Sequence, residues 1–204
     1  MTLRRDFHIV AELISRGSRV LDLGCGRGQL LAYLRDAKNI NGYGLEIDPQ
    51  GITACIESGV NVIEQNLDDG LENFESDSFD TVVMTETLQS VQRPDLLLDE
   101  MLRIGKQCII TYPNFGHWRL RMYLSLRGRM PKVESLPHNW FDTPNIHLCT
   151  FADFENLCNE KQLDVRQRFV TDNNYKNRVL INRFPNLFGT YAFYRIGRGQ
   201  YNSH

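Results

Sequence analysis

The segment Val20-Leu-Asp-Leu-Gly-Cys-Gly-Arg-Gly-Gln-Leu-Leu31 constrains this chain more than any other. An apolar strand closes on an acid, Asp22. Glycines follow at 24, 26 and 28, and a leucine-bearing helix begins behind them. Glycine adopts backbone conformations that a Cβ forbids, and it lets a ligand touch the main chain. The helix start offers unpaired N–H groups to a negative group. A Gly-rich turn with no ligand is the alternative, yet one glycine makes such a turn and three weaken it. The segment therefore predicts a strand–turn–helix pocket of the nucleotide type.

The spacing selects the nucleotide. A dinucleotide fingerprint, Gly-x-Gly-x-x-Gly, needs its third glycine at 29, where Gln29 stands. No Gly-Lys-Ser/Thr follows, which excludes a Walker loop. Asp22, two residues before Gly24, suits a ligand with an ammonium group better than one with a pyrophosphate. Asp-Leu-Gly-Cys-Gly-x-Gly resembles the first motif of the class I S-adenosylmethionine (SAM) methyltransferases. That resemblance implies SAM as cofactor, S-adenosylhomocysteine (SAH) as product, and cofactor contacts from Asp22, Gly24, Cys25, Gly26 and Gly28.

The segments that follow agree in order. Tyr43-Gly-Leu-Glu46-Ile47-Asp48 reads as a second strand closing on an acid. A carboxylate there accepts hydrogen bonds from ribose hydroxyls, so Glu46 is the expected ribose clamp, with Ile47 beside it. Asp48, with Pro49 behind it, reads as the cap of the next helix. Val60–Gln65 forms a third strand, followed by Asn66-Leu67-Asp68-Asp69-Gly70. Members of the family usually place an acid where Asn66 stands, against the adenine amino group. An Asn carbonyl accepts the same hydrogen bond without charge, and Leu67 falls next to it. Asp68 and Asp69 belong either to this contact or to an ordinary turn before Gly70. Thr85 opens the stretch that, in this fold, faces the transferred methyl group.

Strand and helix signals alternate from a leading helix over about 5–15 through strands at 19–23, 42–46, 60–65, 78–84 and 107–112. Pro94 opens a helix to about Ile104, and Thr150-Phe-Ala-Asp153 is a capping box. Two closing strands fall at 163–170 and 189–196. Alternation of this kind predicts an α/β fold, a doubly wound, Rossmann-like, mostly parallel sheet. The resemblance adds seven strands with the last antiparallel, and length and composition fit a single domain over 1–204, its core at 18–170 and closing strands to about 196. No apolar run reaches the ~18 residues of a membrane span, and the N-terminus lacks the apolar core of a signal peptide. Five cysteines, odd in number and without a Cys-x-x-Cys pair, read as reduced thiols. A cytoplasmic protein is expected.

Charge is unevenly distributed. Residues 1–102 hold 8 basic and 18 acidic side chains, a balance of −10, while residues 103–204 hold 15 and 7, a balance of +8. The densest basic run is Arg119, Arg121, Arg127, Arg129 and Lys132, interleaved with Trp118, Leu120, Met122, Tyr123, Leu124 and Leu126. It reads as an amphipathic helix, apolar on one side and basic on the other. That pattern favours a partner protein or an anionic substrate over nucleic acid.

The second half carries further motifs. Thr85-Glu-Thr-Leu-Gln-Ser-Val91 is not the Asn/Asp-Pro-Pro-Tyr/Phe of enzymes that methylate nucleobase amines. Then come Tyr112-Pro-Asn-Phe-Gly-His-Trp118, Gly128-Arg-Met-Pro131, Leu136-Pro-His-Asn-Trp140 and Asp142-Thr-Pro-Asn-Ile-His-Leu-Cys-Thr150. This series resembles the MetW family of methionine biosynthesis, from about Leu3 to Ile196. The resemblance implies a SAM-type fold and a link to homoserine O-acyltransferase, and supplies no established methyl acceptor. A SAM-dependent methyltransferase acting on an unidentified small molecule is therefore expected, the alternative being a partner that activates the acyltransferase or reports SAM to it.

His117 and His147 are the candidate catalytic bases by residue type. Each has a structural alternative: His117 as a partner of a loop carbonyl, His147 as a packed residue before a capped helix. His117, His138 and His147 are separated by 21 and 9 residues, which matches no compact metal-ligand pattern, so no metal is expected. Trp118, Trp140 and Phe141 either line an acceptor pocket or pack against the basic helix.

Overall fold

The computed structural model describes residues 5–176 and 179–199. Along the chain lie α1 (Arg5–Glu12), β1 (Arg19–Leu23), α2 (Gln29–Lys38), β2 (Asn41–Glu46), α3 (Pro49–Glu57) and β3 (Asn61–Glu64). After a 3₁₀ turn at Leu67–Asp69 come β4 (Thr81–Thr85), a second 3₁₀ turn at Leu88–Ser90, α4 (Pro94–Ile104) and β5 (Cys108–Pro113). The remainder is α5 (Trp118–Arg127), α6 (Phe151–Glu160), β6 (Asp164–Thr171), α7 (Val179–Arg183), α8 (Pro185–Phe188) and β7 (Tyr191–Gly197).

The seven strands form one sheet in the order β3-β2-β1-β4-β5-β7-β6. Neighbours from β3 through β5 are parallel, and β7 runs antiparallel to both β5 and β6. This is the doubly wound sheet that the alternation predicts, with the antiparallel last strand that the resemblance implies.

Period-two alternation sorts the central strands between two apolar layers. Leu21, Leu23, Val82, Met84, Cys108, Ile110 and Tyr112 pack with Leu97, Leu98 and Met101 of α4 and with Phe151 and Phe154 of α6. Val20, Val83, Ile109 and Phe193 pack on the other face with Phe7 and Val10 of α1, Leu30, Leu31 and Leu34 of α2, and Cys55 of α3. Asp22 shares the parity of Val20, so its buried carboxylate lies on the α2 side of the sheet, beneath the glycine turn.

Local signals decide several boundaries. Asp48 accepts from the N–H groups of Gln50 and Gly51 and caps α3, with Pro49 in its first turn. Thr150 and Asp153 form the reciprocal capping box of α6. The fourth strand, expected from Ser78, begins at Thr81. Phe79 makes only an isolated bridge to Gly105, and the Asp80 carboxylate turns aside to the Arg19 amide at 2.9 Å and Lys106 Nζ at 2.7 Å. The first helix ends at Glu12 rather than near 15, and Leu13 and Ile14 stay buried in the turn beyond it.

Candidate cofactor-binding site

β1 lies between β2 and β4, so the chain leaves it on one side and returns on the other. Such a reversal opens a crevice at the carboxyl ends of the strands. Asp22 approaches that edge on β1, Glu46 ends β2 and Thr85 ends β4.

The glycine turn is built for this crevice. Gly24, Gly26 and Gly28 take φ values of 72°, 55° and 69°, left-handed conformations that side chains disfavour. The amides of Gly24 and Cys25 both donate to the Leu45 carbonyl, which ties the turn to β2. The three glycines serve different ends. A Cβ on Gly24 would stand 2.7 Å from the Thr87 side chain, and one on Gly28 would stand 2.8 Å from Cys55 Sγ. A Cβ on Gly26 would meet nothing within 4 Å, so its backbone edge is open. Gly28 precedes α2 and has no side chain to cap it.

Glu46 faces that open edge. Its Oε2 accepts the Gly26 N–H at 2.6 Å, and Oε1 accepts those of Ile47 at 2.7 Å and Asp48 at 2.9 Å. Three amides thus fix the carboxylate, which retains further acceptor capacity. Gly51 at the start of α3 closes the far side, because a Cβ there would lie 2.8 Å from the Gly26 carbonyl oxygen. Sequence reading missed this glycine, although its place three residues after a capping Asp is visible in the chain.

Beneath the turn, Cys25 Sγ and Cys55 Sγ lie 3.8 Å apart. Burial first, and then the Asp22 carboxylate, push the Cys25 thiol far above its ordinary range. It is a neutral filler under the glycines, and all five cysteines are free thiols.

On the β3 side, the Asn66 side-chain carbonyl accepts the Asp68 N–H at 3.1 Å and caps the first 3₁₀ turn. Asp68 Oδ1 accepts the Gln92 N–H at 2.8 Å and braces this turn against the segment after β4. Leu67 packs against the apolar layer beside α4. On the β4 side, Thr85 leads into Glu86, a non-glycine residue at φ 56° whose amide donates to the Thr111 carbonyl. Left-handed backbone of this kind costs on the order of 1–3 kcal/mol and clusters at binding edges.

The two histidines carry structural hydrogen bonds. His117 Nδ1 accepts the Arg119 N–H at 3.2 Å and caps α5, which assigns the hydrogen of the neutral ring to Nε2. Burial, and then the Arg119 charge, hold its pKa below the usual 6.5. His147 Nε2 lies 3.1 Å from the Gln92 carbonyl, which only accepts, so Nε2 carries the hydrogen there as well. The amides of Ile146 and His147 both donate to the Gln89 carbonyl, binding the 142–150 segment over the post-β4 loop.

Asn114, passed over in the sequence, holds this edge together. Its Nδ2 donates to the carbonyls of Asn186 at 3.1 Å and Gly189 at 2.8 Å. Its Oδ1 accepts the amides of Gly116 and Phe151, both at 3.0 Å. One buried amide side chain thereby joins the end of β5, the start of α6 and the α8–β7 turn. The Pro-Asn-Phe-Gly block is a bracket.

Helix α5 differs from the amphipathic expectation. Leu120 is its one buried side chain, while Trp118, Met122, Leu124 and Leu126 are exposed. Trp140 and Phe141, in edge-to-face contact, are 75% and 70% exposed, so neither packs into a core. An open cavity of about 500 Å³ lies beside the start of α5, lined by His117, Trp118, Arg119, Leu180, Ile181 and Thr190 among others. Among the described residues, no three His, Cys, Asp or Glu side chains gather in a metal-binding arrangement, and no helix is long and apolar enough to cross a membrane.

Residues 4–196 match the family model described as Methionine biosynthesis protein MetW. The chain is 36% identical over 210 residues to a bifunctional methionine biosynthesis protein MetXA/MetW of Rhodopirellula baltica, covering 97% of this chain and 34% of that protein. It therefore spans about a third of the length of that curated relative. Among solved structures, a SAM-dependent methyltransferase of Mesorhizobium loti superposes with TM-score 0.68 at 15% identity, over 94% of this chain and 96% of that one. The plantazolicin methyltransferase BpumL, solved with SAH, gives TM-score 0.61 at 15% identity over 88% and 76%. At these identities the structural likeness shows the fold.

Proposed function

This chain belongs to the MetW family of methionine biosynthesis, and on that premise we propose that it binds SAM and acts on homoserine O-acyltransferase as a SAM-responsive partner. The observation that carries the binding half is the open backbone of Gly26 facing the Glu46 carboxylate at the strand-order reversal. Glu46 would take the ribose hydroxyls, Asn66 and Leu67 the adenine, and Asp22 with the Gly24–Gly28 turn the methionine end. Cys25, Ile47 and Thr85 would border it. When bound, SAM supplies an electrophilic methyl group. The residues around it here bind and orient.

The partner half is supported by the relative in which a MetW segment and MetXA are one chain. It is supported also by His117, whose acceptor nitrogen Nδ1 is committed to the Arg119 amide, which leaves only an N–H at Nε2. The test is acyltransferase activity of the source organism's enzyme, alone and with this chain, each with and without SAM. Stimulation by the chain that changes with SAM is expected, and no change in any condition would overturn the partner role.

A methyltransferase acting on a small molecule is the second reading. The cavity beside His117 and Arg119 favours it, being of the size that small ligands occupy. SAH formation from SAM on adding a metabolite extract would select this reading.

A further inference from the structure

Helix α5 is apolar on two opposite faces. Leu120 points into the protein and is 4% exposed. At about 100° per residue, Trp118, Met122 and Leu126 align on the face turned away from it. They are 40%, 48% and 76% exposed. A surface helix ordinarily carries polar side chains there.

Cations border this stripe. The Arg119 guanidinium lies 5.5 Å from the Trp118 ring centre on one flank, and Arg121 follows on the other. From residue 114 to 133 the chain has five cations and no acid. Among the described residues none of the five pairs with a carboxylate. An apolar centre of Trp, Met and Leu with an arginine rim is the composition of a protein interface. A surface that grips phosphates would put the cations at its centre.

We propose that the outward stripe Trp118–Met122–Leu126, with Arg119 and Arg121 at its edges, is the surface by which this chain docks on the acyltransferase. The proposal rests on the partner role above and adds where contact is made and what it meets. The partner's patch is apolar at its centre and bordered by Asp or Glu, because an uncompensated arginine rim disfavours any other surface. A relative that carries MetXA in the same chain would hold this face at high effective concentration for it.

The test is calorimetric titration of the full-length chain into the source organism's acyltransferase, at low and moderate salt. Wild type is expected to bind, less tightly as salt rises. Met122→Asp with Leu126→Asp should weaken binding at least tenfold, and Arg119→Glu at least threefold. Should the first pair lower the thermal midpoint, the Arg119 variant alone decides. Binding by both variants within twofold of wild type overturns the docking surface and leaves the partner role standing. No binding by wild type overturns the partner role itself. A wild-type dimer that Met122→Asp with Leu126→Asp dissolves, with acyltransferase binding intact, would assign the stripe to a second copy of the chain and overturn the proposal.

Discussion

The Glu46 carboxylate reaches from the end of β2 across the crevice and accepts the Gly26 N–H at 2.6 Å. One acid therefore shapes the glycine turn and stands at the crevice rim, where the proposed SAM complex would place a ribose. Any ligand in this crevice meets a turn already held at its rim, with the open edge of Gly26 toward it.

Removing that acid should be felt in binding. Glu46→Ala is expected to weaken SAM or SAH affinity by about 1–3 kcal/mol, the scale of a lost charge-assisted hydrogen bond. Titration calorimetry with SAH checks this, and an unchanged affinity would move the ribose clamp elsewhere.

The glycines should separate by role. Gly28→Ala combines left-handed strain, about 1–2 kcal/mol, with a Cβ 2.8 Å from Cys55 Sγ. Gly26→Ala brings the strain alone, because nothing lies within 4 Å of its Cβ position. Urea midpoints should fall further for Gly28→Ala. SAH affinity of the folded fraction should fall further for Gly26→Ala, whose methyl group would occupy the ligand's edge.

Stability should decline on acidification partly through His117. Its folded pKa lies below the usual 6.5, so the unfolded chain binds the proton more readily. Its contribution is complete above pH 6.5 and is lost as pH falls through the folded value. A protonated Nδ1 cannot accept the Arg119 amide, so the α5 cap is lost as the ring takes its charge. His117→Asn keeps a capping oxygen that does not titrate. Thermal midpoints from pH 7.5 down to 5 should fall more steeply for wild type than for this variant.

The capping box of α6 can be measured in isolation. Thr150→Ala removes the acceptor of the Asp153 amide and should cost about 0.5–2 kcal/mol. At roughly 2–4 °C per kcal/mol for a chain of this size, a lowered melting midpoint reports it. A shift within error would mean that Asn114, which accepts the Phe151 amide, holds the helix start unaided.

Features governed by neighbours in sequence were legible before the fold was seen. The glycine turn, the Asp48 cap with Pro49, the Thr150 box and the strand alternation are local, and the structure contains each. What depends on distant partners was not. Asn114 is an ordinary polar residue until Asn186 and Gly189 arrive from more than seventy positions away. The Thr87 contact that makes Gly24 necessary is likewise invisible in the motif. The reading of α5 failed for a third reason. Counting apolar residues predicts one buried face, whereas Trp118, Met122 and Leu126 form a second apolar face pointing outward.

The strand order has an electrical consequence. β1 to β4 come from the first 102 residues and occupy one half of the sheet, and β5, β7 and β6 occupy the other. Among the described residues, the acidic excess of the first half of the chain and the basic excess of the second are thereby laid out in space. A molecule of net charge −2 then carries a dipole directed across its strands. In low salt such a field turns an approaching charged partner before contact, with reach limited to about 8 Å at physiological ionic strength. A protein that is nearly neutral on average can therefore present itself edge first.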